Sequence, residues 1–175
     1  MDGNACLPSQ FFLKPGYLMA DRDSIIVSMV LGNCVAVTVF DQRNRFGGIH
    51  HFVFPETHIP ADRTPQYGNV GIPALFKMLL GMGANRDHLV AQIIGGATNR
   101  DIKDGALGEK NIAAARAALS RLRVPVVSED VGGTLGRKVL YHSTSNETAI
   151  FKVGMLRQND WFLPGMDLRF DSCGR

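Results

Sequence analysis

A chain of 175 residues, 45% hydrophobic and 20% charged, can build one full core but is too short for two. Its net charge of +3 is spread without any dense Lys/Arg block, so nucleic acid is not indicated as a partner. No window approaches about 18 consecutive apolar residues, and Met1 to Gly16, with Asp2, Gln10 and Lys14, lacks a signal-peptide run, so a protein that is not membrane-embedded is expected.

Met1 to Ala20 reads as largely irregular around Pro8, Pro15 and Gly16, with residues 1–14 a flexible N-terminal segment. Short strands are expected at Leu18 to Ala20 and Ile25 to Met29, parted by the charged turn Asp21-Arg22-Asp23. Val35 to Phe40 is rich in β-branched residues and reads as a strand; Asp41 to Asn44 is a polar turn, and Phe46 to Phe54 the returning strand. Thr57 to Gly68 reads as a loop. Gly71 to Met82 then reads as a helix, with Pro73 in its first turn and Leu75, Phe76, Leu79 and Leu80 on one face. A buried strand, Leu89 to Ile94, and a polar loop, Arg100 to Gly108, precede a second helix from Glu109 to Leu122. That helix turns Ile112, Ala115, Leu119 and Leu122 to one side. Pro125 to Ser128 is another strand, Val131-Gly132-Gly133 a turn, and Lys138 to His142 with Thr148 to Val153 a final hairpin across Ser143 to Asn146. The tail, 155–175, holds Trp161, Phe162, Pro164 and Phe170 without periodicity. With no repeat and no dividing linker, the pattern predicts a single α/β domain over 15–154, with a mixed or antiparallel sheet and two main helices.

Chemistry concentrates between Ser28 and Pro55. If the turn centres between Gln42 and Arg43, Cys34 lies directly opposite His51, with Cβ atoms roughly 4.5–5.5 Å apart. A slip of one full residue makes the two diagonal neighbours at roughly 7–8 Å, still on one face of the sheet. A thiol nucleophile and an imidazole base need about this separation before hydrogen bonding closes the gap, which makes the pair a geometric candidate and not yet a site. A cysteine beside Val-Ala-Val is ordinarily a small buried hydrophobe. Here Gly32-Asn33 just before it favours a sharp bend with N–H groups near the thiol. His50 must point to the face opposite His51. A thiol with pKa near ~8.5 would need a paired imidazolium to raise its thiolate fraction at neutral pH. Cys34, His51 and His58 could converge on a metal, but the spacing is not that of a zinc site, and no metal is expected. The glycine pairs 47–48, 95–96 and 132–133 fit no phosphate-loop pattern and read as turns or close-packing points; no cofactor is expected. Cys6, Cys34 and Cys173 are odd in number and far apart, which argues against a disulfide framework and for a reducing cytoplasm.

The segments LGNCVAV and GGIHHFVFP resemble the Leu-Gly-Ser-Cys-Val-Ala-Val and Gly-Gly-x-x-His-x-x-Leu-Pro signatures of the CheD family, the chemoreceptor glutamine deamidases. The likeness continues through IIGGATN (93–99), LGEKNIAAAR (107–116) and VPVVSEDVGGTLGRKV (124–139), and covers roughly residues 15 to 154. The resemblance implies an α/β sandwich related to the catalytic domain of cytotoxic necrotising factor toxins. It also implies hydrolysis of glutamine to glutamate on methyl-accepting chemotaxis receptors, with release of ammonia. The family's Cys-His-Thr triad would fall on Cys34 as nucleophile, His51 as base and Ser28 as the hydroxyl that orients the imidazole. Serine for threonine, Asn33 for serine and Phe54 for leucine are the departures from the family pattern. The family further implies association with a CheC-type phosphatase; a member that had lost catalysis could persist as an adaptor for receptors or that phosphatase.

Overall fold

Every residue from Val35 to Asp41 is buried, although side chains alternate between the two faces of a strand, so this segment must be covered on both sides. The computed structural model describes residues 8–98 and 106–154 and supplies both covers. In chain order the elements are β1 (Ser9–Phe12), β2 (Tyr17–Asp21), β3 (Ile25–Leu31), β4 (Val35–Asp41), β5 (Phe46–Phe52), helix α1 (Gly68–Gly81), β6 (Leu89–Gly95), helix α2 (Leu107–Leu122), β7 (Val126–Val131), β8 (Gly136–His142) and β9 (Thr148–Val153). Two sheets form, in strand orders β1-β3-β8-β9 and β2-β5-β4-β6-β7. The β1–β3 and β6–β7 pairs are parallel and the others antiparallel, which makes the fold the mixed α/β sandwich anticipated.

The residue pattern sorts the core into two layers. Val35, Val37 and Val39 of β4 pack with Phe52, Ile93 and the inner faces of both helices, including Leu75, Leu79, Ala115 and Leu119. On the other side of the same sheet, Ala36, Ile49 and Ile94 meet Val27, Met29 and Leu31 of β3 and Val139 and Tyr141 of β8. The order across the molecule is therefore four-stranded sheet, five-stranded sheet, helices.

Three local readings change. Ser9–Phe12, within the stretch read as irregular, pairs in parallel with Ile25–Ser28. A four-residue strand whose partner lies beyond another strand leaves little local signal. Asp41 belongs to β4 and not to the turn. Its Oδ1 accepts from the backbone N–H groups of Arg43 and Asn44 (3.0 and 2.8 Å), and its Oδ2 from Asn44 Nδ2 and Asn85 N (2.9 and 2.7 Å). Burial alone would raise this carboxyl, but these bonds outweigh it and hold the group below the usual carboxylate range. Finally, α1 begins at Gly68, so Pro73 lies past the first turn and costs a backbone bond.

Candidate active site

The Asp41 hub fixes the register of β4 on β5. Asp41 pairs with Phe46, and the ladder runs back to Ala36 opposite His51 and Val35 opposite Phe52. The turn is thus centred one residue later than first drawn, and Cys34 stands across from Val53, diagonal to His51. Diagonal neighbours are separated by roughly 7–8 Å. Cys34, Ala36, Ile49 and His51 all alternate into the layer between the sheets, where Cys34 packs at the margin of the apolar cluster.

Cys34 is partly buried, and its Sγ contacts Asn33 Oδ1 at 3.8 Å. Burial pushes the thiol up to about 11, and its own backbone N–H pulls it only partly back. His51 is wholly buried. Its Nδ1 lies 3.3 Å from the Leu13 carbonyl, which can only accept, so Nδ1 carries the proton and Nε2 is the bare nitrogen. Nε2 has no hydrogen-bond partner among the described residues. Burial holds the ring down to about 4; the Leu13 carbonyl opposes this and neighbouring His50 adds to it slightly. At neutral pH both groups rest uncharged, in place of the thiolate–imidazolium pair considered from sequence.

Ser28 sits elsewhere. It lies on β3, in the other sheet, and alternation sends Val27, Met29 and Leu31 toward His51 while Ser28 faces away. Its hydroxyl donates to the Phe11 carbonyl at 3.2 Å, and its own carbonyl accepts from Leu13 N at 2.8 Å. The structure therefore brings Cys34 and His51 to one face and does not bring the Ser28 hydroxyl to the imidazole. What Ser28 touches is the β1 strand, whose continuation supplies the carbonyl on His51. His58 does not join the site: it is 82% exposed beside Glu56, 3.6 Å away. Among the described residues no group of three His, Cys, Asp or Glu side chains could hold a metal.

Two contributors escaped the sequence reading. The Leu13 carbonyl is a backbone group and leaves no side-chain signature. Asn111 of α2 is wholly buried and donates to the carbonyls of Asn33 (3.0 Å) and Val53 (2.8 Å), flanking both candidate residues. A lone asparagine on a helix face otherwise made of Ile112, Ala115, Ala118 and Leu119 was the available signal.

Comparison with known proteins gives a consistent result. The family model described as CheD chemotactic sensory transduction matches residues 54–152. A probable chemoreceptor glutamine deamidase CheD of Trichlorobacter lovleyi is 38% identical over 136 residues, covering 77% of this chain and 84% of that protein. The probable chemoreceptor glutamine deamidase CheD 1 of Anaeromyxobacter dehalogenans is 36% identical over 136 residues, 77% of this chain and 79% of its own length. A third relative with the same description, from Sulfurimonas denitrificans, is 37% identical over 135 residues, 75% of this chain and 86% of its own. No helix among the described residues is long and apolar enough to cross a membrane.

Proposed function

The chain belongs to the CheD family, and from that premise we propose that it is a cysteine-dependent deamidase that converts glutamine side chains of chemotaxis receptors to glutamate in the cytoplasm. The observation that carries this reading is the shared face of Cys34 and His51, with Nδ1 of the ring already engaged by Leu13.

The neutral resting pair sets the order of events. His51 Nε2 takes the thiol proton as Sγ attacks the carboxamide carbon, so thiolate forms only when it is used. The C–N bond then breaks, and the same proton goes from Nε2 to the departing nitrogen, which leaves as ammonia. Water, deprotonated by Nε2, attacks the thioester; the carboxyl product leaves and the thiol is restored. Backbone N–H groups of Cys34 and its Gly32-Asn33 bend are the candidates to receive the oxyanion, each donor of this type being worth about 3–4 kcal/mol. Ser28 serves the ring from behind, by fastening β1 so that Leu13 keeps its carbonyl on Nδ1.

The test is mass spectrometry of a receptor cytoplasmic fragment after incubation with the protein. A gain of about one mass unit at glutamine, with ammonia released, is expected from the native protein and not from Cys34→Ala. Unchanged receptor peptides with retained binding to a CheC-type phosphatase would replace the enzyme with an adaptor. Ammonia release undiminished in Cys34→Ala would remove the thiol mechanism.

A further inference from the structure

The backbone ladder that joins Cys34 to His51 stops one residue short of the thiol. Val35 and Phe52 are the last pair, and at the next level both strands turn to other partners. The Cys34 carbonyl accepts from Gly96 N at 2.8 Å, and Val53 N donates to the Gln66 carbonyl at 2.9 Å. What spans the gap is one side chain. Both hydrogens of the Asn111 amide are committed, one to the carbonyl before Cys34 and the other to the carbonyl two residues after His51. We propose that Asn111 is a positioning residue, whose planar amide fixes how far the Cys34 bend stands from the His51 strand.

The helix is set close enough for this by Gly108, one turn earlier. A Cβ there would lie 2.5 Å from the Gly96 carbonyl oxygen and 2.7 Å from that of Ala97, so the first turn of α2 rests directly on the backbone beyond β6. That same backbone holds the bend from its other side, since Ala97 N donates to the Gly32 carbonyl at 2.9 Å. The bend is thus gripped between the end of β6 and Asn111. Asparagine in a helix interior is disfavoured relative to alanine, and burying its amide is costly; both donors are met here, while Oδ1 has no partner among the described residues. Meeting two carbonyls that flank the thiol and the imidazole is a use that justifies the position.

This inference rests on the deamidase reading for its rate measurements, but thiol reactivity reads it independently. Asn111→Leu keeps the approximate volume and removes both donors. With a receptor fragment as substrate, kcat should fall about ten- to a hundredfold while KM stays within twofold, the loss expected when reacting groups drift by about 1 Å. Alkylation of Cys34 by iodoacetamide at pH 8 should accelerate at least about tenfold, as the released bend exposes the sulfur. Gln92→Leu is the control: Gln92 Nε2 also donates to a carbonyl, that of Asn146 at 2.8 Å, far along β6 from the thiol. It should lower thermal stability and leave kcat and alkylation unchanged. Asn111→Leu with native alkylation, or Gln92→Leu with an equal effect, would overturn the proposal. Should Asn111→Leu not fold, side-chain amide exchange in the native protein decides: both Asn111 protons protected supports the clamp, and exchange at the solvent rate refutes it. If the native protein releases no ammonia, the deamidase reading fails while the alkylation and exchange results still stand or fall for the clamp.

Discussion

His50 and His51 are neighbours in the chain and alike in bulk, yet they face different halves of the molecule. Both rings are wholly buried, burial holds both down to about 4, and each meets one backbone carbonyl. His50 points to the helices. It stacks on Phe52 with centroids 5.3 Å apart, sits against Gly71, and donates from Nε2 to the Pro65 carbonyl at 2.7 Å. His51 points between the sheets, donates from Nδ1 and keeps Nε2 bare on the face that carries Cys34. The pair therefore adopts opposite tautomers. A depressed pKa marks burial in both cases; only the company on each face separates a packing histidine from a candidate base.

The contrast is most sharply tested by exchanging each ring for glutamine. His51→Gln should cut ammonia release about 10²–10⁴-fold, the usual contribution of a positioned general base. His50→Gln should leave the rate within a few-fold and lower stability instead, by about 1–3 kcal/mol through the lost stack and the altered bond to Pro65. Equal rate losses would abolish the distinction.

Acid treats the two rings alike. Below about pH 6.5 the unfolded chain protonates both, whereas the folded chain keeps them neutral to about 4, so the unfolded state binds more protons in that window. Stability should be full above pH 6.5 and fall as pH drops toward 4, by on the order of 3 kcal/mol per ring at 1.36 kcal/mol per pH unit. Urea midpoints across pH 4–7 check it, and replacing either ring with an uncharged side chain should flatten the slope.

Gly71→Ala attacks the helix side alone. A Cβ at that position overlaps the His50 ring, so the substitution should destabilise by roughly 2–3 kcal/mol through overpacking. Thermal melts would record the loss, while Cys34 alkylation should keep its native rate. Ser28→Ala is the mildest change. It removes one hydroxyl bond to Phe11, worth about 1 kcal/mol, and should reduce turnover only several-fold. A loss as large as that of His51→Gln would mean that the hydroxyl reaches the ring during turnover.

Much of this was legible in the chain. Alternation in Val35–Phe40 and Phe46–Phe54 was enough to put Cys34 and His51 on one face and His50 on the other, because moving the turn centre by one residue shifts the pairing by two and keeps each side chain on its face. The register itself was off by one turn position, because Asp41 looks like a turn residue and acts as a buried hydrogen-bond hub. Ser28 was harder. The family resemblance put its hydroxyl on the imidazole, but the Gly32-Asn33 bend carries the chain from one sheet to the other, and on β3 alternation turns Val27 and Met29 inward and Ser28 away from the ring. Leu13 was out of reach altogether, since any residue could supply that carbonyl once β1 docks on β3.

The most direct measurement is a double-mutant cycle on ammonia release from a receptor fragment, using Cys34→Ala, His51→Gln and the two combined. If sulfur and imidazole act on one carboxamide as a unit, the double variant is no slower than Cys34→Ala alone. Losses that multiply would mean two independent contributions, and a native rate in Cys34→Ala would mean that the thiol takes no part.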